Sequence, residues 1–364
     1  MMNNAPSILF ITRTYPPIRG GMEQLSYDIT TEVGKLTRTK VITNRYGKKF
    51  LPIFFVTATI QGLFTAKNYD VVHIGDPVLC LIGWMIKKVT RKPVAVEVHG
   101  LDILYPSKIY QWYLKKFFSG TDLYICISNY VASLVNEKFP GNNTVVITPG
   151  IKDVFYEPSI KHDDLEKYLG SKITNKRILL TVGRLIKRKG VEWFITNVLP
   201  KLPENIIYVV IGNGPEKEKI DQAIKKTNQQ NKVIFLHDVP REKVKLLYNT
   251  ADLFIMPNIE VKNDAEGFGL VAVEAASCKL PIIAAKLEGI TDAVIDDQNG
   301  ILVESENADA FADKINSLLQ NENVRKEFGK KAREFTMQNF AWPKIAQQYM
   351  DKFSEICELR RGNS

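Results

Sequence analysis

Short apolar runs alternate along the whole chain with stretches in which apolar residues recur every three or four positions. Strand-length runs separated by helical periodicity are the pattern of parallel βαβ units. In the first half the runs predict strands over Ser7–Thr12, Lys40–Asn44, Val71–Gly75, Val94–Gly100, Leu123–Ser128 and Val145–Pro149. Helices are predicted over Met22–Val33, Val78–Val89, Lys108–Phe118 and Asn129–Phe139.

The second half repeats the plan. Strands fit Ile178–Gly183, Ile206–Gly212, Val233–Leu236, Leu253–Pro257, Pro281–Ala285 and Gly300–Val303. Helices fit Val191–Leu199, Glu216–Lys226, Arg241–Thr250, Phe268–Cys278 and Ala308–Gln320. The polar stretch from Lys152 to Lys176 has no strand pattern and reads as a boundary. The expected fold is α/β, two Rossmann-like domains facing across a cleft, spanning 1–165 and 166–343, with a last helix, 344–364, packing back on the first domain. Ligands of such sheets bind at the carboxyl ends of the strands.

A chain of 364 residues exceeds one ordinary core, which agrees with two domains. Its 45% hydrophobic and 24% charged residues are a soluble globular balance. The apolar run Ile8–Ile11 is too short for a signal peptide, and no stretch has the length of a spanning helix, so a cytosolic protein is expected. Cys80, Cys126, Cys278 and Cys357 lie far apart in apolar contexts, without metal-ligand spacing, and are expected as buried, reduced thiols. Charge does change the picture. Residues 1–151 hold 17 Lys and Arg against 9 Asp and Glu, a balance of +8 out of a total of +9, so the first half is expected to meet something anionic.

The candidate chemistry falls just after predicted strands. Gly183-Arg184-Leu185 follows the strand ending at Val182, and Lys189-Gly190 precedes the next helix. Two cations around a glycine turn can clamp a diphosphate, with helix N-terminal amides as further donors; the alternative is a solvated basic loop. Gly212-Asn213-Gly214 gives a GxG turn, but Lys217 stands where a dinucleotide fingerprint needs its third glycine. In "DAEGFGLVAVEAA", 264–276, Glu274 sits in an apolar helix where an unpaired carboxylate would be costly. With a phosphate on the amides around Gly269–Val271, Glu274 can accept both hydroxyls of an attached ribose, while Glu266 faces the other end of the diphosphate. A hydrogen bond to neighbouring backbone is the alternative for Glu274. Gly20-Gly21 can let a phosphate approach or simply cap a helix, and His99-Gly100 ends a strand at the expected crevice, as a ligand-facing or a structural residue. His73 reads as structural.

Together these stretches resemble the retaining GT-B glycosyltransferases of family 4 over nearly the whole chain. The carrying motifs are "GGMEQ" at 20–24, "EVHGLD" at 97–102, "PGI" at 149–151, "VGRLIKRKG" at 182–190 and "EGFGLVAVEA" at 266–275, the last being the family's E-x7-E motif. The resemblance implies transfer of a hexosyl or N-acetylhexosaminyl group from a nucleoside diphosphate sugar, UDP-linked on family frequency, with retained configuration and neither metal nor resident cofactor. It implies that Glu274 binds the ribose, that Glu266 contacts the transferred sugar, and that Arg184 and Lys189 neutralise the diphosphate. It further implies that Gly183, Gly267, Phe268, Gly269, Leu270 and Val271 surround the donor, that the base rests near Asp238 and Val239, that Gly21 approaches the diphosphate, and that His99 lines the sugar pocket. Asn213 departs from the pattern, standing where many relatives carry an acidic residue.

The acceptor is expected to be a glycan or a polyprenyl-linked sugar, as in assembly of bacterial surface polysaccharide. "KIYQWYLKKFF", 108–118, and "YGKKFLPIFF", 46–55, mix cations with aromatics. Lys108, Trp112, Lys115 and Lys116 are therefore expected on an anionic membrane surface, placing the protein peripherally on the inner face of the cell membrane; a solvated helix face is the alternative. No nucleic-acid motif accompanies the charge. A non-catalytic sugar-nucleotide-binding protein is the other class to test, and a nicotinamide dehydrogenase lacks its full GxGxxG.

Overall fold

The computed structural model describes residues 5–18, 20–170 and 173–362. The chain forms two compact units: 1–150 together with 342–364, and 151–341. The expected boundary was 165/166. The helix His162–Leu169 lies instead inside the second unit, where its residues had given no strand pattern to read. Trp342–Gly362 is helical and belongs to the first unit, and positions 363–364 of the expected terminal helix lie outside the described residues.

The first unit contains β1 (Ile8–Thr12), β2 (Thr39–Thr43), β3 (Val71–Ile74), β4 (Val94–Val98), β5 (Leu123–Cys126) and β6 (Thr144–Val146). These make one six-stranded sheet in the order β2-β1-β3-β4-β5-β6, parallel throughout. Sheets of this kind are covered on both faces, so their strands are apolar without alternation. All five residues of β1 and of β4 are buried accordingly. Glu97 is the exception inside β4. Its Oε1 accepts the hydroxyl of Tyr349 at 2.9 Å and its Oε2 meets His73 Nε2 at 3.0 Å. That buried network ties the terminal helix to the sheet, and His73 is structural.

The second unit contains β7 (Arg177–Val182), β8 (Ile206–Ile211), β9 (Val233–Leu236), β10 (Leu253–Met256), β11 (Ile282–Lys286) and β12 (Ile301–Glu304). They form a second six-stranded parallel sheet, β12-β11-β10-β7-β8-β9. Its core joins Phe194, Tyr208, Leu253, Ile283 and Phe311, all fully buried. The chain runs outward from β7 to β9 and then returns to β10 on the other side of β7. The β7/β10 pair is therefore the topological switch point, where loops part and leave a crevice. In the first sheet the β1/β3 pair has the same role.

Among the described helices of eight residues or more, three were not read from the pattern: His162–Leu169, Glu322–Phe340 and Leu51–Thr65. The last carries no charged residue in 15, so its apolar face had no polar face to contrast with. Cys80, Cys126 and Cys278 are buried and unpaired, whereas Cys357 is half-buried. No described helix is long and apolar enough to cross a membrane.

Candidate active site

The switch point of the second unit gathers most of the candidate residues. Gly183 follows β7 directly, and its φ of 153° lies beyond the comfort of an L side chain. After it, Lys187–Lys189 forms one 3-10 turn, and Gly190 caps the following helix with φ 65°. A Cβ on Gly190 would stand 1.8 Å from the carbonyl oxygen of Pro257, at the end of β10. Only glycine lets the two loops meet so closely, and that contact turns Lys189 inward.

Lys189 is buried, and its Nζ lies 2.6 Å from Glu266 Oε2, with both side chains only about a tenth exposed. Asn258 Nδ2 donates to the same oxygen at 3.1 Å, and Arg188 Nε approaches it at 3.4 Å. None of these three contacts falls on Oε1, so one carboxylate oxygen is fixed and the other is not engaged by them. Burial, the largest influence, raises the Glu266 pKa, but the charges of Lys189 and Arg188 and the hydrogen bonds outweigh it and hold the group below its ordinary value. Arg188 also pairs with Asp264 at 2.5 Å. Arg188 was not singled out from the sequence, where it stands in the charged run Ile186-Lys187-Arg188-Lys189. No periodicity could have singled it out, since its partner lies 76 residues away. Arg184, in contrast, is exposed.

Gly269, with φ 100°, caps the helix Leu270–Ser277, two residues later than the pattern placed its start. Gly267 precedes that N-terminus, Leu270 and Val271 form its first turn, and Phe268 is buried against Phe340 at 6.0 Å between rings. The first amides of a helix lack internal partners and offer an anion site. Glu274 lies one turn on, half-buried, and its Oε2 accepts the hydroxyl of Tyr248 at 2.9 Å. A side chain thus holds one oxygen of this half-buried carboxylate. Tyr248 was not foreseen, because it belongs to the separate helix Arg241–Thr250. Burial first, then the charge of Glu274, push the Tyr248 pKa well up, so the phenol stays a donor. Asp238 is exposed, has φ 48°, and accepts from Asn213 Nδ2 at 3.0 Å; Val239 follows it. That bond is what the departure at Asn213 does locally.

In the first unit, Gly21 opens the helix Gly21–Val33 after Gly20 as N-cap. His99, after β4, is nearly buried; its ring Nε2 meets the Gly75 carbonyl at 3.1 Å and its backbone N–H donates to Asp102 Oδ2 at 3.0 Å. Burial, more than any nearby charge, raises the Asp102 pKa. Lys108, Trp112, Lys115 and Lys116 are exposed on the helix Lys108–Phe117, with Lys116 Nζ 5.0 Å over the Trp112 ring.

Two parallel Rossmann-like units with this glycine-lined cationic loop and E-x7-E helix define the GT-B glycosyltransferases. The chain matches the sequence profile "Glycosyltransferase Family 4" over 12–154 and "Glycosyl transferases group 1" over 164–335. It belongs to the family 4 glycosyltransferases and is a glycosyltransferase. It is similar to the GDP-mannose-dependent alpha-(1-6)-phosphatidylinositol monomannoside mannosyltransferase of Mycolicibacterium smegmatis, at 24% identity over 98% of this chain and 100% of that protein. It is also similar to the capsular polysaccharide biosynthesis glycosyltransferase CapM of Staphylococcus aureus, at 24% identity over 79% and 78% of the two chains. Among solved structures, Anabaena Alr3699/HepE in complex with UDP shares the fold with a TM-score of 0.77 at 23% identity, covering 96% of this chain and 100% of that one.

Proposed function

We propose that the protein transfers a hexosyl or N-acetylhexosaminyl group from a UDP-linked sugar to a glycan or lipid-linked acceptor, with retention of configuration and without a metal. The observation that carries this reading is the loop pair at the β7/β10 switch point. It sets Lys189 2.6 Å from one oxygen of Glu266, beside a helix N-terminus and the exposed Arg184. A leaving diphosphate gains negative charge as the anomeric bond breaks, and Arg184, Lys189 and the amides of Gly269–Val271 are fixed positive groups suited to stabilise it. Glu274 accepts the ribose hydroxyls, and Glu266 presents Oε1 to the sugar. The acceptor oxygen bonds to the anomeric carbon on the face the diphosphate leaves. Its proton passes to a phosphate oxygen of that leaving group.

The named relatives support the acceptor class: one acts on a phosphatidylinositol mannoside and another serves capsular polysaccharide biosynthesis. The donor rests on the UDP held by HepE. Position on the inner face of the cell membrane is part of the same proposal. The second unit is electrically balanced, with 28 Lys and Arg against 28 Asp and Glu, so the first unit carries the whole +9. On the uncharged helix Leu51–Thr65, Ile53, Val56, Ile60 and Phe64 are 61%, 61%, 52% and 74% exposed at spacings of one helical face. An apolar stripe with Lys49 before it and Lys67 after it in the chain suits an anionic interface, and the exposed lysines of 108–116 add charge to the same unit.

The test is a product assay with radiolabelled UDP- and GDP-sugars in EDTA, followed by NMR of the new linkage. An α-linked product from a UDP-sugar is expected. Strict need for magnesium or manganese, an inverted linkage, or use of GDP-sugars alone overturns the corresponding part.

A further inference from the structure

The turn after β11 grips the peptide that carries Glu266. Glu288 Oε2 accepts the Glu266 N–H at 2.5 Å, and the N–H of Gly289 donates to the Glu266 carbonyl at 3.1 Å. Glu288 takes up φ 49° to do so, an uncommon conformation for a non-glycine residue. Its own carbonyl accepts the Thr291 hydroxyl at 2.9 Å, which anchors the turn to the short helix Ile290–Ala293. Both backbone groups of Glu266 are therefore held from one side, while Lys189, Asn258 and Arg188 hold its carboxylate from the other. We propose that Glu288 is a positioning residue for glycosyl transfer, its carboxylate fixing the backbone of Glu266 so that the Glu266 side chain meets the sugar in register. This rests on the reading of Glu266 as the group that contacts the transferred sugar.

The charged groups facing Glu288 make the grip sensitive to pH. Burial raises its pKa most, Glu266 and Glu260 add repulsion, and Arg188 and the Glu266 amide partly offset them, leaving the carboxyl at about 7. Above that pH the carboxylate is a strong, charge-assisted acceptor; below it the acid accepts more weakly. The transfer rate should then fall on the acid side of pH 7, whereas nucleotide binding, which uses Glu274 and the helix amides, should not follow it.

The experiment measures kcat between pH 5.5 and 9, with UDP affinity by calorimetry, for wild type, Glu288→Gln, Glu288→Ala and Glu266→Gln. In Glu288→Gln the amide oxygen still accepts the N–H, as a neutral group at every pH, so the limb near pH 7 should vanish and kcat should stay near the acid-side level of wild type, above that of Glu288→Ala. In Glu288→Ala kcat should fall roughly 10- to 100-fold, the scale for a misplacement of about 1 Å, with UDP affinity within about 3-fold. A Glu288→Gln profile that keeps the limb, or a Glu288→Ala kcat equal to wild type while Glu266→Gln is impaired, overturns the positioning role. If Glu266→Gln itself transfers normally, the reading of Glu266 fails instead.

Discussion

Replacing Lys189 by Met tests whether the Lys189–Glu266 pair organises the site before any ligand arrives. The thioether side chain keeps the apolar stem of lysine in place and removes only the ammonium. At 2.6 Å the gross attraction is about 6 kcal/mol at an effective dielectric of about 20. Desolvation of two groups this buried offsets much of it, but removing one partner leaves the other charge unpaired, at a typical cost of roughly 3–5 kcal/mol. Arg188 at 3.4 Å and Asn258 at 3.1 Å remain on the same oxygen, which places the expected loss at the lower end, about 3 kcal/mol. For a unit of this size that corresponds to a melting point lower by roughly 6–12 °C. The pH dependence follows from the depressed pKa of Glu266. Its stabilisation is present above the unfolded value of 4.5 and is lost as pH falls through the lower folded value. The gap between wild type and variant should be full at pH 7.5 and close under acid. Denaturant titration of the ligand-free proteins at pH 7.5 and at pH 3.5–4 reads both quantities. A penalty below about 1 kcal/mol at pH 7.5, or one that persists undiminished at the acid end, refutes the pairing as an energetic feature.

Glu274→Gln should weaken UDP binding roughly 10- to 150-fold, the equivalent of about 1.5–3 kcal/mol of charge-assisted hydrogen bonding, as read by calorimetry. Tyr248→Phe, which frees Glu274 Oε2 of its hydroxyl donor, should change UDP affinity less than Glu274→Gln; the reverse order would mark Glu274 as chiefly structural. Reversing Lys108, Lys115 and Lys116 to Glu should abolish co-sedimentation with anionic vesicles, at about 1 kcal/mol per lost attraction. Ile60→Ser with Phe64→Ser should weaken co-sedimentation in high salt as well, where screening has already reduced the lysine contribution; equal sedimentation of all forms returns this face to ordinary solvated surface.

What the sequence disclosed and what it withheld divide along a physical line. All twelve described strands were legible as short runs of apolar and β-branched residues; the central ones read most plainly because parallel strands covered on both faces are apolar throughout, and β8 is the extreme case, six residues with every one buried. The helix Leu51–Thr65 escaped for the opposite reason. Its buried positions Phe54, Ala58 and Gly62 are no more apolar than its exposed ones, so no period stood out. At the site, residues that act through local backbone were visible: Gly183, Gly190 and Gly269 all take positive φ, and glycine is the residue that does so without penalty. Residues that act through partners far along the chain were not. Arg188 meets Asp264, Tyr248 meets Glu274 and Glu288 meets the amide of Glu266, each across a loop or helix that only the sheet topology brings near. The two glutamates of E-x7-E illustrate both cases. Their spacing set them on one loop-helix element, yet the surroundings that suit their proposed tasks come from partners outside it. Glu266 is surrounded by cations and an amide and held as an anion, while Glu274 rests on a neutral phenol. A carboxylate that must meet a sugar developing positive charge gains from the first environment, because it stays ionised. One proposed to share two ribose hydroxyls is steadied in the second by a phenol hydroxyl that donates to Oε2.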